Sequence, residues 1–303
     1  MKRLLIFLFL GVCFGACGHR SQPVAVSQPA VFLPMLPPVQ LEGDEVVDYM
    51  QMHYWDRFDF ADTLFLKRVD TTQMLEAYAA YVAHYLDARE TSTLDSLMRK
   101  ASVSRPMLEY FWMLGEKVLD DPNSPLRSSE LYSAVLRAVL QSSFFDPWER
   151  IAPEHDLHMA LQNRVGQPSN NFTYTLASGG RGTLHGVKSD YVLLFISNPD
   201  CPMCAQLQRE ISESPLLSEL IERGDLKVVM IYTDEDLTVW RNHATDVPAS
   251  WINGYDRDGV IGENALYDLR AIPSIYLLDR AKRVLVKDSA SIPDVEKMLD
   301  ARL

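Results

Sequence analysis

The chain is short of cysteine, of positive charge and of long apolar runs. Four cysteines stand in 303 residues, 29 lysines and arginines face 41 aspartates and glutamates, and the formal net charge is −12. An acidic surface repels phosphate backbones, and no basic stripe interleaved with aromatics reverses the balance, so nucleic acid is not an expected partner. Beyond the N-terminus no stretch is apolar for the roughly 20 residues that a bilayer-spanning helix needs. There is no second CxxC and no matching histidine pair, which argues against a four-ligand zinc site. His155 and His158 in EHDLH could share a helix face, but no further ligands converge on them in sequence. Asp256 and Asp258 in YDRDG lack the spaced oxygens of a calcium loop and read as a turn. No metal and no cofactor is therefore expected. What is present, 47% hydrophobic and 23% charged residues, is the composition of a folded protein. The length allows two domains.

The first residues, MKRLLIFLFLGVCFGAC, combine a positive start at Lys2 and Arg3, a short apolar core and small residues before Cys17. This resembles the signal peptide of a bacterial lipoprotein, although Phe14 stands where such signals usually carry an aliphatic residue. The resemblance implies cleavage after residue 16, a lipid on Cys17 and a place in the bacterial cell envelope, facing the periplasm. Ordinary secretion and an uncleaved anchor are the alternatives. With Cys13 removed and Cys17 lipidated, Cys201 and Cys204 are the remaining thiols, and export places them where disulfides persist. They would make a poor staple, because the loop they close is too small to constrain the unfolded chain much.

Residues 17–43 hold five prolines and no helical period, which predicts a partly extended tether. Residues 44–164 predict an all-α domain. Asp70 is a candidate N-cap with Gln73 three residues on, a capping-box pattern, and Met74, Tyr78, Val82 and Tyr85 follow at helical spacing. RPMLEYFWMLGEKVLDD and SSELYSAVLRAVLQSS repeat that periodicity, and the aromatics of this half read as core. From Val165 the pattern changes. FTYTLA, YVLLFI, LKVVMIY, SIYLLD and RVLVKD read as strands. CAQLQREISESPLLSELIER, EDLTVWRNHAT and PDVEKMLDARL read as helices between and after them. Residues 165–303 thus predict an α/β domain with a central sheet flanked by helices.

Cys201-Pro202-Met203-Cys204 follows the apolar run YVLLFI and opens a helix. Unpaired N–H groups at a helix N-terminus favour a thiolate. Cys201 is therefore the candidate attacking sulfur and Cys204, one turn inward, the candidate resolving thiol. Pro202 suits the first turn. Downstream, Ile272-Pro273 precedes a strand, where proline can sit without breaking a ladder. Together these features resemble the thioredoxin fold, and most closely the membrane-anchored TlpA/ResA-type thiol-disulfide oxidoreductases. VGQPSNNFTYTLASGGRGTLHGV stands where those domains open, and residues 235–265 where they carry an extra helix and strand. The resemblance implies a cis bond at Ile272-Pro273 beside the CxxC. It also implies a substrate groove shaped by Pro202, Met203, Ile272 and Pro273, and exchange with protein thiols fed by an upstream redox partner. The helical half, with HYWDRFDFAD, resembles a domain of unassigned role that precedes such domains in bacterial lipoproteins.

The chain departs from that family at several points. Asp200 replaces the usual tryptophan before the motif, and a carboxylate there should raise a neighbouring thiol's pKa. Phe195 occupies the position of the common buried acid, and Leu207 that of the glutamate one turn after the second cysteine. Glu210 is a weaker candidate to take the Cys204 proton. Asn198 stands where a peroxidase would have threonine, and a copper carrier would want a histidine near the X-Pro, whereas His243 lies in the inserted helix. A less stabilised thiolate leans toward a reductant. A non-enzymatic scaffold is the runner-up.

Overall fold

The computed structural model describes residues 30–303 apart from Arg89 and Ala290. The expected leader and Cys17 lie outside these residues. No helix among the described residues is long and apolar enough to cross a membrane.

The first half is helical: α1 (Asp44–His53), α2 (Thr71–Tyr85), α3 (Ser92–Ala101), α4 (Arg105–Gly115), α5 (Ser129–Gln141) and α6 (Ile151–Ala160). Polar residues set the starts. Asp70 Oδ1 accepts from the Thr72 N–H at 2.8 Å, and Ser128 Oγ accepts from Leu131 N–H at 3.3 Å. Ser104 caps α4 just before Arg105-Pro106.

The capping box expected at Asp70 and Gln73 does not close. The Gln73 amide instead accepts from the Phe32 N–H (3.1 Å) and donates to the Phe32 carbonyl (2.7 Å). Phe32 is 3% exposed and stacks on Trp55 at 4.8 Å, so its buried backbone needs those partners. The segment expected as tether is therefore bound to the helices from residue 30 onward. Ala30 N–H bonds the Arg68 carbonyl at 2.9 Å and Met35 N–H the Tyr54 carbonyl at 3.1 Å. Burying a phenylalanine contributes roughly 1.5–3 kcal/mol, enough to draw a proline-rich segment onto a surface.

Gly115 lets α4 approach α5, because a Cβ there would lie 3.0 Å from Val135 Cγ2. Just beyond it the chain widens into a π-helical turn, Glu116–Asp120, that ends the helix. The following loop, 121–128, is tied back onto this turn. Ser124 Oγ donates to the Val118 carbonyl at 2.5 Å and Ser128 N–H to the Leu119 carbonyl at 2.9 Å.

The second half contains β1 (Thr173–Leu176), β2 (Arg181–Thr183), β3 (Tyr191–Ile196), β4 (Leu226–Tyr232), β5 (Ile252–Tyr255), β6 (Ser274–Asp279) and β7 (Val284–Ser289). They form one mixed sheet in the order β2-β1-β5-β4-β3-β6-β7. β3 runs parallel to β4 and antiparallel to β6. Val192 to Ile196 are fully buried, as a strand covered on both faces requires. Leu193 and Phe195 face the helices α7 (Pro202–Glu213), α8 (Pro215–Arg223) and α11 (Ile292–Asp300). Val192, Leu194 and Ile196 face Phe172, Ile261 and Tyr267 on the other side. From Val165 the chain joins this half: Gly166 N–H bonds the Val284 carbonyl and Ser169 N–H the Lys282 carbonyl, both at 2.8 Å.

The helix expected to run through QREISESPLLSEL is two helices. Pro215 has no N–H to continue the ladder and its ring crowds the preceding turn. Ser214 caps the second helix, accepting from Leu217 N–H at 3.1 Å. Beyond it come α9 (Leu237–Asn242) and the short α10 (Val260–Glu263).

Candidate thiol site at the start of helix α7

β3 delivers the chain to the edge of the sheet, and Ser197-Asn198-Pro199-Asp200 turns it into α7. Asn198 shapes the turn. Its carbonyl accepts from Cys201 N–H at 3.1 Å, its Oδ1 accepts from Asp200 N–H at 2.9 Å, and its Nδ2 donates to Asp234. Cys201 is the N-cap of α7. Its Sγ accepts from the Cys204 N–H at 3.2 Å, so one of the helix's free N–H groups points at this sulfur. Cys201 is partly exposed and Cys204 is 2% exposed; both are free thiols. Pro202 and Met203 stand exposed beside Cys201 in the first turn.

The peptide bond Ile272-Pro273 is cis, and the Ile272 carbonyl lies 3.6 Å from Cys201 Sγ. Residues 71 apart in sequence thus share one spot, because β6 lies next to β3 with Ile196 opposite Ser274.

The two sulfurs differ. Burial pushes the Cys204 thiol up to about 12, while the Asn198 N–H and the Ser197 hydroxyl pull the other way. Ser197 is 2% exposed and its Oγ has no hydrogen-bond partner at ordinary distance, which leaves it free to serve a Cys204 thiolate. Behind Cys204 lies a cavity of about 330 Å³, lined among others by Ser197, Met230, Trp240 and His243.

Glu210, the weaker candidate to take the Cys204 proton, is turned along its own helix. It accepts from Gln206 Nε2 at 2.8 Å on its own helix, and it does not line the cavity. Phe195 and Leu207 are buried in the core beside Cys204. His155 and His158 are exposed on α6, and the described residues hold no cluster that could bind a metal ion. His243 pairs with Asp246 at 2.9 Å.

The fold has a close counterpart. A thioredoxin-like protein from Bacteroides caccae, solved at 1.90 Å, is 36% identical to the chain, with a TM-score of 0.84 over 90% of this chain and 99% of that one. The chain belongs to the thioredoxin-like family. Two further structures match only part of it. The C-terminal domain of an uncharacterized Bacteroides fragilis protein is 46% identical over 46% of this chain and 98% of its own, with a TM-score of 0.45. A conserved Bacteroides fragilis protein of unknown function is 37% identical over 45% and 98%, with a TM-score of 0.44. Residues 18–163 match a family described as a domain of unknown function, DUF5106. Comparison with curated proteins gave no match.

Within this thioredoxin-like frame, Ser197 and the cavity residue Trp240 are features that sequence reasoning missed, and His243, weighed there only as a metal ligand, lines the same cavity. No spacing rule marks them. Ser197 is simply the residue after the last buried position of β3, and α9 folds over the sheet edge only in three dimensions.

Proposed function

We propose that the protein is a thiol-disulfide oxidoreductase of the bacterial envelope, acting on protein substrates through Cys201 and Cys204. The observation that supports this best is the setting of Cys201. The residue is partly exposed, and its sulfur caps a helix N-terminus and lies beside the Ile272 carbonyl with a buried second thiol one turn behind. In this reading the thioredoxin-like domain spans 165–303, the helical domain 44–164, and Cys17 carries the lipid.

The Cys201 thiolate attacks one sulfur of a substrate disulfide. A Cys201–substrate disulfide forms, the substrate S–S bond breaks, and one substrate thiolate leaves. Cys204 then gives up its proton and attacks Cys201 Sγ. The Cys201–Cys204 disulfide forms and the second substrate thiolate leaves; two electrons have passed to the substrate, the Cys204 proton goes to one substrate thiolate, and solvent returns to the other the proton that Cys201 had already lost. The Asn198 N–H and Ser197 hydroxyl stabilise the Cys204 thiolate while it forms. A protein dithiol must re-reduce the pair. Reduction is the proposed direction, because burial holds Cys204 as a thiol, so at neutral pH the reduced pair draws no stability from a Cys204 thiolate, the contribution that makes other pairs strongly oxidising.

Equilibration of the pair with dithiothreitol or glutathione tests this. The expected reduction potential is near or below about −270 mV, and a value near about −120 mV would reverse the direction. In Cys204→Ser the expected outcome is a trapped Cys201–substrate disulfide on a gel. A pair that never forms a reversible disulfide would overturn the enzyme reading.

A further inference from the structure

We propose that the helical domain forms one wall of the groove that receives the protein substrate, and that the groove takes an extended segment with short, uncharged side chains next to the reacting cysteine. The inference rests on the thiol-exchange reading above. A groove of about 610 Å³ runs between the two domains. On one side stand Pro122, Ser124 and Pro125 of the 121–128 loop. On the other stand Ala271, Pro273 and Ser289. Ala271 and Pro273 flank Ile272, whose carbonyl lies 3.6 Å from Cys201 Sγ, so the groove is lined by the neighbours on either side of the residue beside which a mixed disulfide must form.

The wall is fixed to both sides of the Ile272-Pro273 bond. Arg127 Nη2 reaches Asp268 at 2.8 Å and Asp288 at 2.7 Å, and all three side chains are largely buried. Asp120, at the end of the π-helical turn, receives both terminal nitrogens of Arg270, at 2.8 and 2.9 Å. Asp268 and Arg270 precede Ile272. Asp288 also accepts from Ser274 Oγ at 2.7 Å, directly after Pro273. A further tie lies deeper in the seam, where Lys287 Nζ donates to the Ala160 carbonyl at 2.7 Å. A domain bound at so many points holds its loop at a set distance from Cys201.

The same pairing sets the occupant. Arg127, Asp268, Asp288 and Lys287 are engaged with one another or with backbone, and are not free to meet a charged peptide side chain. Exposed Asp294 at the rim repels acidic segments. The remaining lining is proline, serine, alanine and Val286. Such short side chains leave room for main chain and offer hydroxyls to it.

The test fills the groove from the helical side in the full chain. Pro125→Trp, and Pro122→Trp as a second variant, change exposed loop positions and leave Cys201, Cys204 and the ion pairs in place. Each variant is assayed for reduction of insulin and of the small disulfide dithiobis-nitrobenzoate, with folding checked by circular dichroism. The expected result is a fall of about tenfold or more in kcat/KM for insulin, with the small disulfide changed less than about twofold and the reduction potential unchanged. Folded variants that reduce insulin as the wild type does, or that lose both activities equally, would overturn the wall assignment. A wild type that reduces neither compound would instead overturn the exchange reading on which it rests.

Discussion

The helical domain is packed with rings and the sheet domain with aliphatic strands, and the two put their polar groups to different uses. Trp55 stacks on Phe32 and meets Tyr54, Phe58, Tyr78, Tyr81 and Phe111 at centroid distances of 4.8 to 6.3 Å. Two tyrosine hydroxyls there bond the domain's own backbone. Tyr54 donates to the Ala77 carbonyl at 2.8 Å and Tyr81 to the Gln51 carbonyl at 2.9 Å. Its interior polar chemistry thus holds its own shape. In the sheet domain, Val192 to Ile196 fill the interior without polar side chains, and the polar groups collect where β3 ends and α7 begins. The seam between the domains is unlike either core, because it is made of ion pairs, those of Arg127 largely buried and that of Arg270 half-exposed. Rings of fixed shape make a stiff support, ion pairs give it one register, and the strand end presents the sulfurs.

The sharpest way to break this contrast is Trp55→Ala. Removing the ring at the centre of the aromatic cluster is expected to cost about 3–5 kcal/mol in urea unfolding. A cost below about 1 kcal/mol would mean that the rings do not hold the domain.

Arg127→Ala addresses the seam. Asp268 keeps Arg270, but Asp288 is left buried beside a hydroxyl and no arginine. Burial already pushes the Asp288 carboxyl up against the pull of Arg127. The expected loss is about 2–3 kcal/mol, at the low side of what an orphaned buried charge costs, because protonation of Asp288 relieves part of it. Arg127→Ala combined with Asp288→Asn is expected to recover part of the loss in a double-mutant cycle. If each change cost the same alone and together, the seam would not act as a pair.

At neutral pH the smallest effect concerns Cys204, whose contribution appears only at alkaline pH. Its folded pKa is raised, so below the ordinary thiol range both states hold the proton and pH does not matter. Between the unfolded thiol's pKa of about 8.5 and the folded value of about 12, the unfolded state loses a proton that the native state keeps. Stability of the reduced protein is then expected to fall by up to about 1.4 kcal/mol per pH unit across that window. Several tyrosines raised by burial act in the same direction, so the measurement is the difference between wild type and Cys204→Ser. Parallel curves for the two would show that Cys204 ionises as easily in the folded protein as outside it.

Much of this was written in local pattern. The apolar run YVLLFI, the CxxC after it and the X-Pro before SIYLLD name a strand, a helix start and a strand start from neighbours alone, and the cap at Asp70 needs only Thr72. The sequence also carried the break at Pro215, since proline cannot continue a helix, though helical periodicity on both sides hid it. Other features needed partners far along the chain. Gln73 serves Phe32, 41 residues away, in place of its own helix end, because a buried backbone amide outbids an exposed one for the same side chain. Arg127 meets Asp268 across 141 residues and Arg270 meets Asp120 across 150. Local sequence by itself determined which residues could be sulfur, cap and strand. Only the tertiary structure decided that a helical domain stands beside the Ile272-Pro273 bond, because charges and cavities are matched in space, where separation along the chain carries no information.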